Sequence, residues 1–448
     1  MNCEKACRRI TAGAFLAIIG VCLVLILGQF VIKNVFIEIF GMDNAITDMS
    51  VTGGSDGMIS VDWEGLYPFS DKEENTVQET EDTLVDIYVN KVRSVTNVID
   101  MYSDDYLPFK ENMKIPSGLF DRIIGNKMVD TNNIYLETKT AGTIVRSPFY
   151  QEFSDSQVNT EKLVASVVEL RDYLAESDID LLYVQAPTKE DKYDEEYVSE
   201  YGLSYENVLA DSLLCGLSEN AVDTLDLREE LHNDGILCRD AFFMSDNHWN
   251  IETAFWATGV IADKLNQDYN FSFNMEYFNV LNYNKNIYKD WVQGTIGRSV
   301  TLVNVPYDDI TVFEPKFETK LNIKIPNLNM DNTGSFLETM INPKPFERRS
   351  TVYHGAYDAF AYSKPPVTEV TNCLDTGNDE KTVLLLRESF AGPVITYMSL
   401  GIGKLYAVTP EGFTGSIRSY IDKVRPDMVV ILYTAPTTNE MTSKYDFR

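Results

Sequence analysis

Continuous apolar runs alternate with stretches of helical periodicity through the C-terminal part of this chain. Leu163, Val167, Leu170 and Leu174 recur at three- and four-residue steps and predict the buried face of a helix. Directly after them comes IDLLYVQAP, Ile179 to Pro187, which is apolar at successive rather than alternating positions, as in a strand covered on both faces. The same patterns return downstream. TVLLL, Thr382 to Leu386, predicts a strand, ESFAGPVITYMSL a turn and helix start, KLYAVTP a second strand, SIRSYIDKV a helix and DMVVILYT a third strand. Strands alternating with helices predict the α/β class, with a parallel sheet flanked by helices on both faces.

The N-terminus follows a different rule. From Thr11 to Ile32 no residue is charged, and at about 1.5 Å per residue this run is long enough to cross roughly 30 Å of hydrocarbon. Lys5, Arg8 and Arg9 precede it, so the positive-inside bias places the N-terminus in the cytoplasm. The run exceeds the roughly 7 to 15 residues of a signal-peptide core, which favours an uncleaved anchor over a cleaved leader. The expected organisation is a cytoplasmic leader at 1–10, a transmembrane anchor in the lipid bilayer at 11–33, a juxtamembrane linker and acidic helical stalk at 34–106, and an extracytoplasmic domain at 107–448. Gly53, Gly54 and Gly57 mark the linker, and Leu84, Tyr88, Val95, Val98 and Tyr102 the stalk helix. The expected location is the cell membrane, with a single span.

Composition narrows the function classes. An apolar content of 44% with 12% aromatics can fill a packed core, and a net charge of −30 opposes binding to nucleic acid. Cys3, Cys7 and Cys22 fall in the leader and span, leaving Cys215, Cys238 and Cys373 outside; this is no disulfide scaffold, although Cys215 and Cys238 are candidates for one bridge. There is no HExxH, Walker loop, CxxC pair or post-strand GxGxxG, so zinc proteases, nucleotide enzymes and dinucleotide enzymes lack their minimal parts. No cofactor and no metal site is expected.

The chain holds three histidines, His232, His248 and His354. His248 lies in MSDNHWN, with Asp246 two residues before it, Trp249 after it and Asn250 placed to cap the helix ETAFWATGVIADKL, whose buried side carries Phe255, Ile261 and Leu265. Ser389 follows the strand LLLRE and precedes the small-residue turn FAGP. The carboxyl end of a parallel strand exposes a hydroxyl where the following helix start can present N–H groups to an oxyanion; a helix N-cap is the alternative role of such a serine. Ser389, His248 and Asp246 together supply the nucleophile, base and orienting acid of an acyl-transfer triad, which geometry and not chain order defines. His232 and His354 are expected at the surface or in turns.

SDNHWN resembles the signature of the DHHW-motif family, with Asn247 in place of its first histidine. Further segments are similar to the family: FDRIIGNKMVDTNNIYLE from Phe120, LLYVQAPTKEDKY with its Pro-x-Lys turn, DWVQGTIGRSV, TVLLLRESFAGP with Glu388 in place of Asp, and IDKVRPDMVVILY. The resemblance covers roughly Leu107 to the C-terminus. It implies an SGNH-like domain related to alginate O-acetyltransferases, and esterase or acetyl-transfer chemistry on cell-surface polysaccharide through Ser389, His248 and Asp246. It further implies a membrane-bound O-acyltransferase partner as acetyl donor and a place for Lys189 along the cleft; Lys189 and Trp249 are the candidate substrate-binding residues, with a solvent-facing turn for Lys189 and core packing for Trp249 as the alternatives. Asn247, Glu388 and the neighbouring Arg387 depart from the family pattern, so the alternative expectation is a non-catalytic surface protein that binds glycan or scaffolds a membrane assembly.

Overall fold

The computed structural model describes residues 158–347, 355–436 and 440–448, together with three short strands ahead of them. Those strands, Met128–Asp130 (β1), Asn133–Glu137 (β2) and Ile144–Arg146 (β3), form a small antiparallel sheet. The central sheet begins with Asp180–Gln185 (β4) and Asp223–Asp226 (β5). A separate two-stranded ribbon, Tyr283–Val292 (β6) and Asp308–Pro315 (β7), follows. The central sheet then resumes with Leu321–Ile325 (β8), Met330–Gly334 (β9), Val367–Asn372 (β10), Thr382–Arg387 (β11), Lys404–Val408 (β12) and Met428–Tyr433 (β13). Its spatial order is β5-β4-β13-β11-β12-β10-β8-β9.

β5, β4, β13, β11 and β12 run parallel, as the apolar runs predict. The expectation of a parallel sheet needs one correction, because β10, β8 and β9 extend it with antiparallel pairing. The reason is local: β8 and β9 are joined by the single turn Pro326–Leu328 with Asn329 left-handed at φ 50°, and parallel neighbours need a long crossover instead.

The parallel strands are apolar throughout because the sheet is buried on both sides. Leu181, Tyr183, Leu384, Leu386, Val429 and Ile431 face one layer, built from helices Thr160–Ala175 (α1), Tyr205–Glu219 (α2) and, further along the chain, the segment around Ile421. Leu182, Val184, Val383, Leu385, Val430 and Leu432 face the other, which holds Ile251–Asp268 (α3) and Ala391–Met398 (α4). Successive residues thus alternate between two cores, as the two-residue period of a strand requires. The stripe on α1 is buried as expected, and Asn159 caps that helix by accepting the Lys162 N–H at 3.0 Å. Cys215 lies on α2 and Cys238 in the opposite core, so the candidate bridge is not formed and both thiols are free.

The anchor, linker and stalk expected at 11–106 lie outside the described residues. Among the described residues no helix is long and apolar enough to cross a membrane.

The carboxyl end of β11 is pinned by the C-terminus. Glu388 accepts a hydrogen bond from the Thr434 N–H just beyond β13 and pairs with Lys444 Nζ at 2.6 Å, with the lysine fully buried. Lys444 also donates to the Thr434 carbonyl at 2.9 Å, and its own carbonyl accepts the Tyr433 hydroxyl at 3.0 Å. Removing one member of a buried pair leaves the other uncompensated. Lys444→Met is expected to cost about 3–5 kcal/mol in urea unfolding, and adding Glu388→Gln, which keeps an acceptor for Thr434, to restore part of it.

Candidate active site

The crossover from β4 leads outward to β5 on one side of β13, and that from β11 leads to β12 on the other. Strand connections that part in this way open a crevice at the carboxyl ends of the strands. Ser389 stands there, half-buried in the turn between β11 and α4.

The histidine arrives from a different segment. The loop Ala241–Asn250 closes on itself: Phe242 and Trp249 form an antiparallel bridge, the Asn250 N–H donates to the Ala241 carbonyl at 2.9 Å, and the Phe243 N–H to the His248 carbonyl at 3.2 Å. Asn250 caps α3 as its sequence position predicts, accepting the Thr253 N–H at 2.9 Å. Asp246 and His248 sit at the tip of this loop.

Asp246 is buried, and its two oxygens are fully engaged. Oδ1 lies 2.5 Å from His248 Nδ1 and accepts the His248 N–H at 3.0 Å, while Oδ2 accepts the Thr295 N–H at 3.0 Å. Burial alone would raise the carboxyl's pKa, but the His248 ring, then the His248 and Thr295 amides, outweigh it and hold the group down to about 2. With an ionised carboxylate against Nδ1, the ring is assigned as Nδ1–H, which leaves Nε2 as the atom able to take a proton.

Aromatic packing fixes the ring plane. His248 stacks on Tyr357 with centroids 4.4 Å apart and meets the Phe390 ring at 5.1 Å. The Phe390 carbonyl accepts both the Trp249 indole N–H at 3.1 Å and the Tyr357 hydroxyl at 3.0 Å. Burial pushes the Tyr357 phenol's pKa well up, so it remains a donor. The residue after His248 is thereby tied to the residue after Ser389. The Ser389 hydroxyl itself makes no hydrogen bond to His248 in this structure; such contacts commonly tighten only around bound substrate.

The two residues expected to touch substrate occupy other places. Lys189 is buried, donating to the carbonyls of Phe243 at 2.6 Å, Met244 at 3.1 Å and Asp246 at 3.0 Å, so its three donors are turned inward. Trp249 is fully buried and offers no face to a sugar. Both support the site from beneath. The departures from the family pattern also have partners: Asn247 donates to the Thr295 hydroxyl at 3.2 Å, and Glu388 turns to Lys444. Arg387 is buried with the carbonyls of Ser363 and Pro365 at 3.0 and 3.1 Å; burial lowers its pKa to about 10, and no carboxylate pairs with it among the described residues. Its acceptors lie in and just after a turn in which Ala361, Tyr362 and Ser363 are all left-handed, a conformation costing about 1–2 kcal/mol per residue.

His232 is exposed and stacked on Tyr193, and His354 lies outside the described residues. Among the described residues no group of three His, Cys, Asp or Glu side chains converges as metal ligands would. Tyr357, Asp308 and Gly294 are parts of the site that sequence reasoning missed; the glycine in VQGTIG, within a family-like segment, was the available signal. A Cβ at Gly294 would lie 1.7 Å from Asp246 Oδ2.

Gly294→Ala is therefore expected to displace the Asp246 carboxylate, at a cost of about 1–3 kcal/mol in thermal unfolding. The depressed Asp246 pKa also carries a signed pH dependence: its stabilisation is complete above about pH 4 and is lost as pH falls toward about 2. Asp246→Asn should lower stability at pH 7 by about 2 kcal/mol and flatten this acid limb, as read from unfolding midpoints across pH.

Residues 147–278 match the family model described as "SGNH hydrolase-like domain, acetyltransferase AlgX", a segment that includes Asp246 and His248 and ends before Ser389. Among solved structures, Bacillus cereus PatB1, one form of which carries a sulfonyl adduct, aligns with a TM-score of 0.53 at 15% identity, over 71% of this chain and 100% of its own. A DHHW family protein from Eubacterium siraeum aligns with a TM-score of 0.50 at 12% identity, over 70% of this chain and 96% of its own. At such identities the likeness concerns the fold. No curated protein matches the sequence. The loop that carries Asp246 and His248 thus lies in a segment similar to the SGNH hydrolase-like AlgX domain, within an α/β fold that this chain shares with PatB1 and a DHHW family protein.

Proposed function

We propose that this protein is a membrane-anchored, extracytoplasmic O-acetyltransferase or acetylesterase that acts on cell-surface polysaccharide through Ser389, His248 and Asp246. The observation that carries the proposal is the buried Asp246 carboxylate at 2.5 Å from His248 Nδ1, in the loop tied to the turn of Ser389. A carboxylate so placed holds the imidazole in one tautomer and stabilises the imidazolium that forms when it accepts a proton.

In this mechanism His248 Nε2 takes the Ser389 proton as Oγ adds to an acetyl ester carbonyl. The tetrahedral intermediate then expels the donor alcohol, which receives that proton from His248. The acetyl-serine reacts next with a polysaccharide hydroxyl, or with water in the hydrolytic case, again with His248 as base. A membrane-bound O-acyltransferase is the proposed acetyl source, and the anchor at 11–33 the element that keeps the two on one membrane. A second reading, in which the same site binds glycan without turnover, rests on Asn247 and Glu388 standing where the family pattern has His and Asp.

The deciding assay is acetate release from an activated acetyl ester by the full chain. Ser389→Ala and His248→Ala should each lower the rate by at least about 10³-fold, and a sulfonyl fluoride should label Ser389 in the parent protein. Equal slow hydrolysis by all three folded proteins, with no label on Ser389, would leave the glycan-binding function in its place.

A further inference from the structure

The backbone that presents Asp246 and His248 is gripped from two sides by charges of opposite sign. Lys189 follows β4 and reaches the carbonyls of Phe243, Met244 and Asp246 at 2.6, 3.1 and 3.0 Å. Asp308 opens β7, on the other side of the loop's peptide groups, and its Oδ1 and Oδ2 accept the Met244 and Ser245 N–H groups at 2.8 and 2.7 Å. No direct ion pair joins Lys189 to Asp308. The cation holds carbonyls and the anion holds amides, so the Phe243–Met244 and Met244–Ser245 peptide groups are bonded to Lys189 at one end and to Asp308 at the other and are polarised by both. None of this involves a side chain that would touch substrate.

We infer that Lys189 and Asp308 are positioning residues for the Asp246–His248 pair, and that the protonated state of Lys189 is required to keep the loop, and with it the imidazole, in register. The inference rests on the assignment of Asp246 and His248 as the orienting acid and base. An ammonium group has three N–H donors for its three carbonyls, whereas a neutral amine has two. Loss of its proton therefore releases one carbonyl of the loop and removes the positive charge facing the other two.

The groups facing Lys189 make this titration accessible. Burial is the main influence and lowers its pKa to about 8, against the opposing pull of Asp308, Asp246, Glu190 and the Cys238 thiol. Cys238 is pushed well up by its own burial, and Asp246 is held at about 2. Burial also raises the Asp308 carboxyl, while the Ser245 and Met244 contacts and Lys189 oppose that rise. Lys189 is thus expected to lose its proton near pH 8, and the loop it holds to change geometry there.

The test reads the ring directly. In the full chain labelled with ¹⁵N-histidine, the downfield Nδ1–H proton between His248 and Asp246 is followed from pH 6 to about pH 10.5, a range that brackets the ordinary lysine pKa, with His248→Gln giving its assignment. The same samples are assayed for acetyl-ester turnover. The parent protein should lose or shift this signal with a midpoint near pH 8. In Lys189→Arg, whose side chain stays charged, the midpoint should rise by at least about one unit. Asp308→Asn removes the facing anion and should lower it, and this variant decides the matter alone if Lys189→Arg does not fold. An alkaline transition that both variants leave unmoved, or no transition at all, overturns the clamp. A transition that moves as expected in a protein without turnover would uphold the clamp and count against the serine mechanism, so the two conclusions fail separately.

Discussion

The buried carboxylate of Asp246 is the constraint on which the site is organised. An ionised group removed from water must be met by donors, and here they come from three directions: the His248 ring, the His248 amide and the Thr295 amide. Each donor fixes a different piece of chain. The ring is oriented, the tip of the Ala241–Asn250 loop is closed, and the segment after β6 is drawn in until only a glycine fits at position 294. A carboxylate satisfied in this way is the point at which two loops far apart in sequence are joined.

The Ser389 side of the site is organised by a carbonyl. Phe390 presents one oxygen to two buried donors, the Trp249 indole and the Tyr357 phenol, and the same phenol ring carries the His248 stack. Ser389 is therefore held next to the histidine loop by backbone contacts, while Glu388 and Lys444 anchor the preceding residue to the C-terminus. Charges that look anomalous around Ser389 in the sequence, Arg387 and Glu388, are turned away from it into carbonyls and an ion pair. They are parts of the frame around Ser389.

Much of this fold was legible in the chain, and for a specific reason. A strand buried on both faces writes itself as an unbroken apolar run, as in Leu181–Val184, Val383–Leu386 and Met428–Leu432, and helices lying over it repeat apolar residues every three or four positions, as α1 does. The antiparallel edge was not legible. β8, β9 and β10 have one exposed side, so their apolar residues are few and spaced, and Leu321, Ile323 and Ile325 alone do not announce a direction of pairing. Lys189 and Trp249 illustrate the same limit at the site. Each is a residue type that meets sugars when exposed, but a buried lysine can use carbonyls as acceptors and a buried indole needs only one or two, and their surroundings here provide them.

The sequence by itself determined the α/β class, the strand and helix positions that flank the site, the cap at Asn250 and the short-range pairing of Asp246 with His248. These depend on residues near one another in the chain, where periodicity and capping act. Tertiary structure alone decided what lies against them: Thr295 and Gly294 on the carboxylate, Tyr357 under the imidazole, Asp308 and Lys189 about the loop, and Lys444 beneath the Ser389 turn. Those contacts join residues tens to more than a hundred positions apart. Their energies come from burial and from donors meeting acceptors, and neither exists until the sheet has brought the segments together.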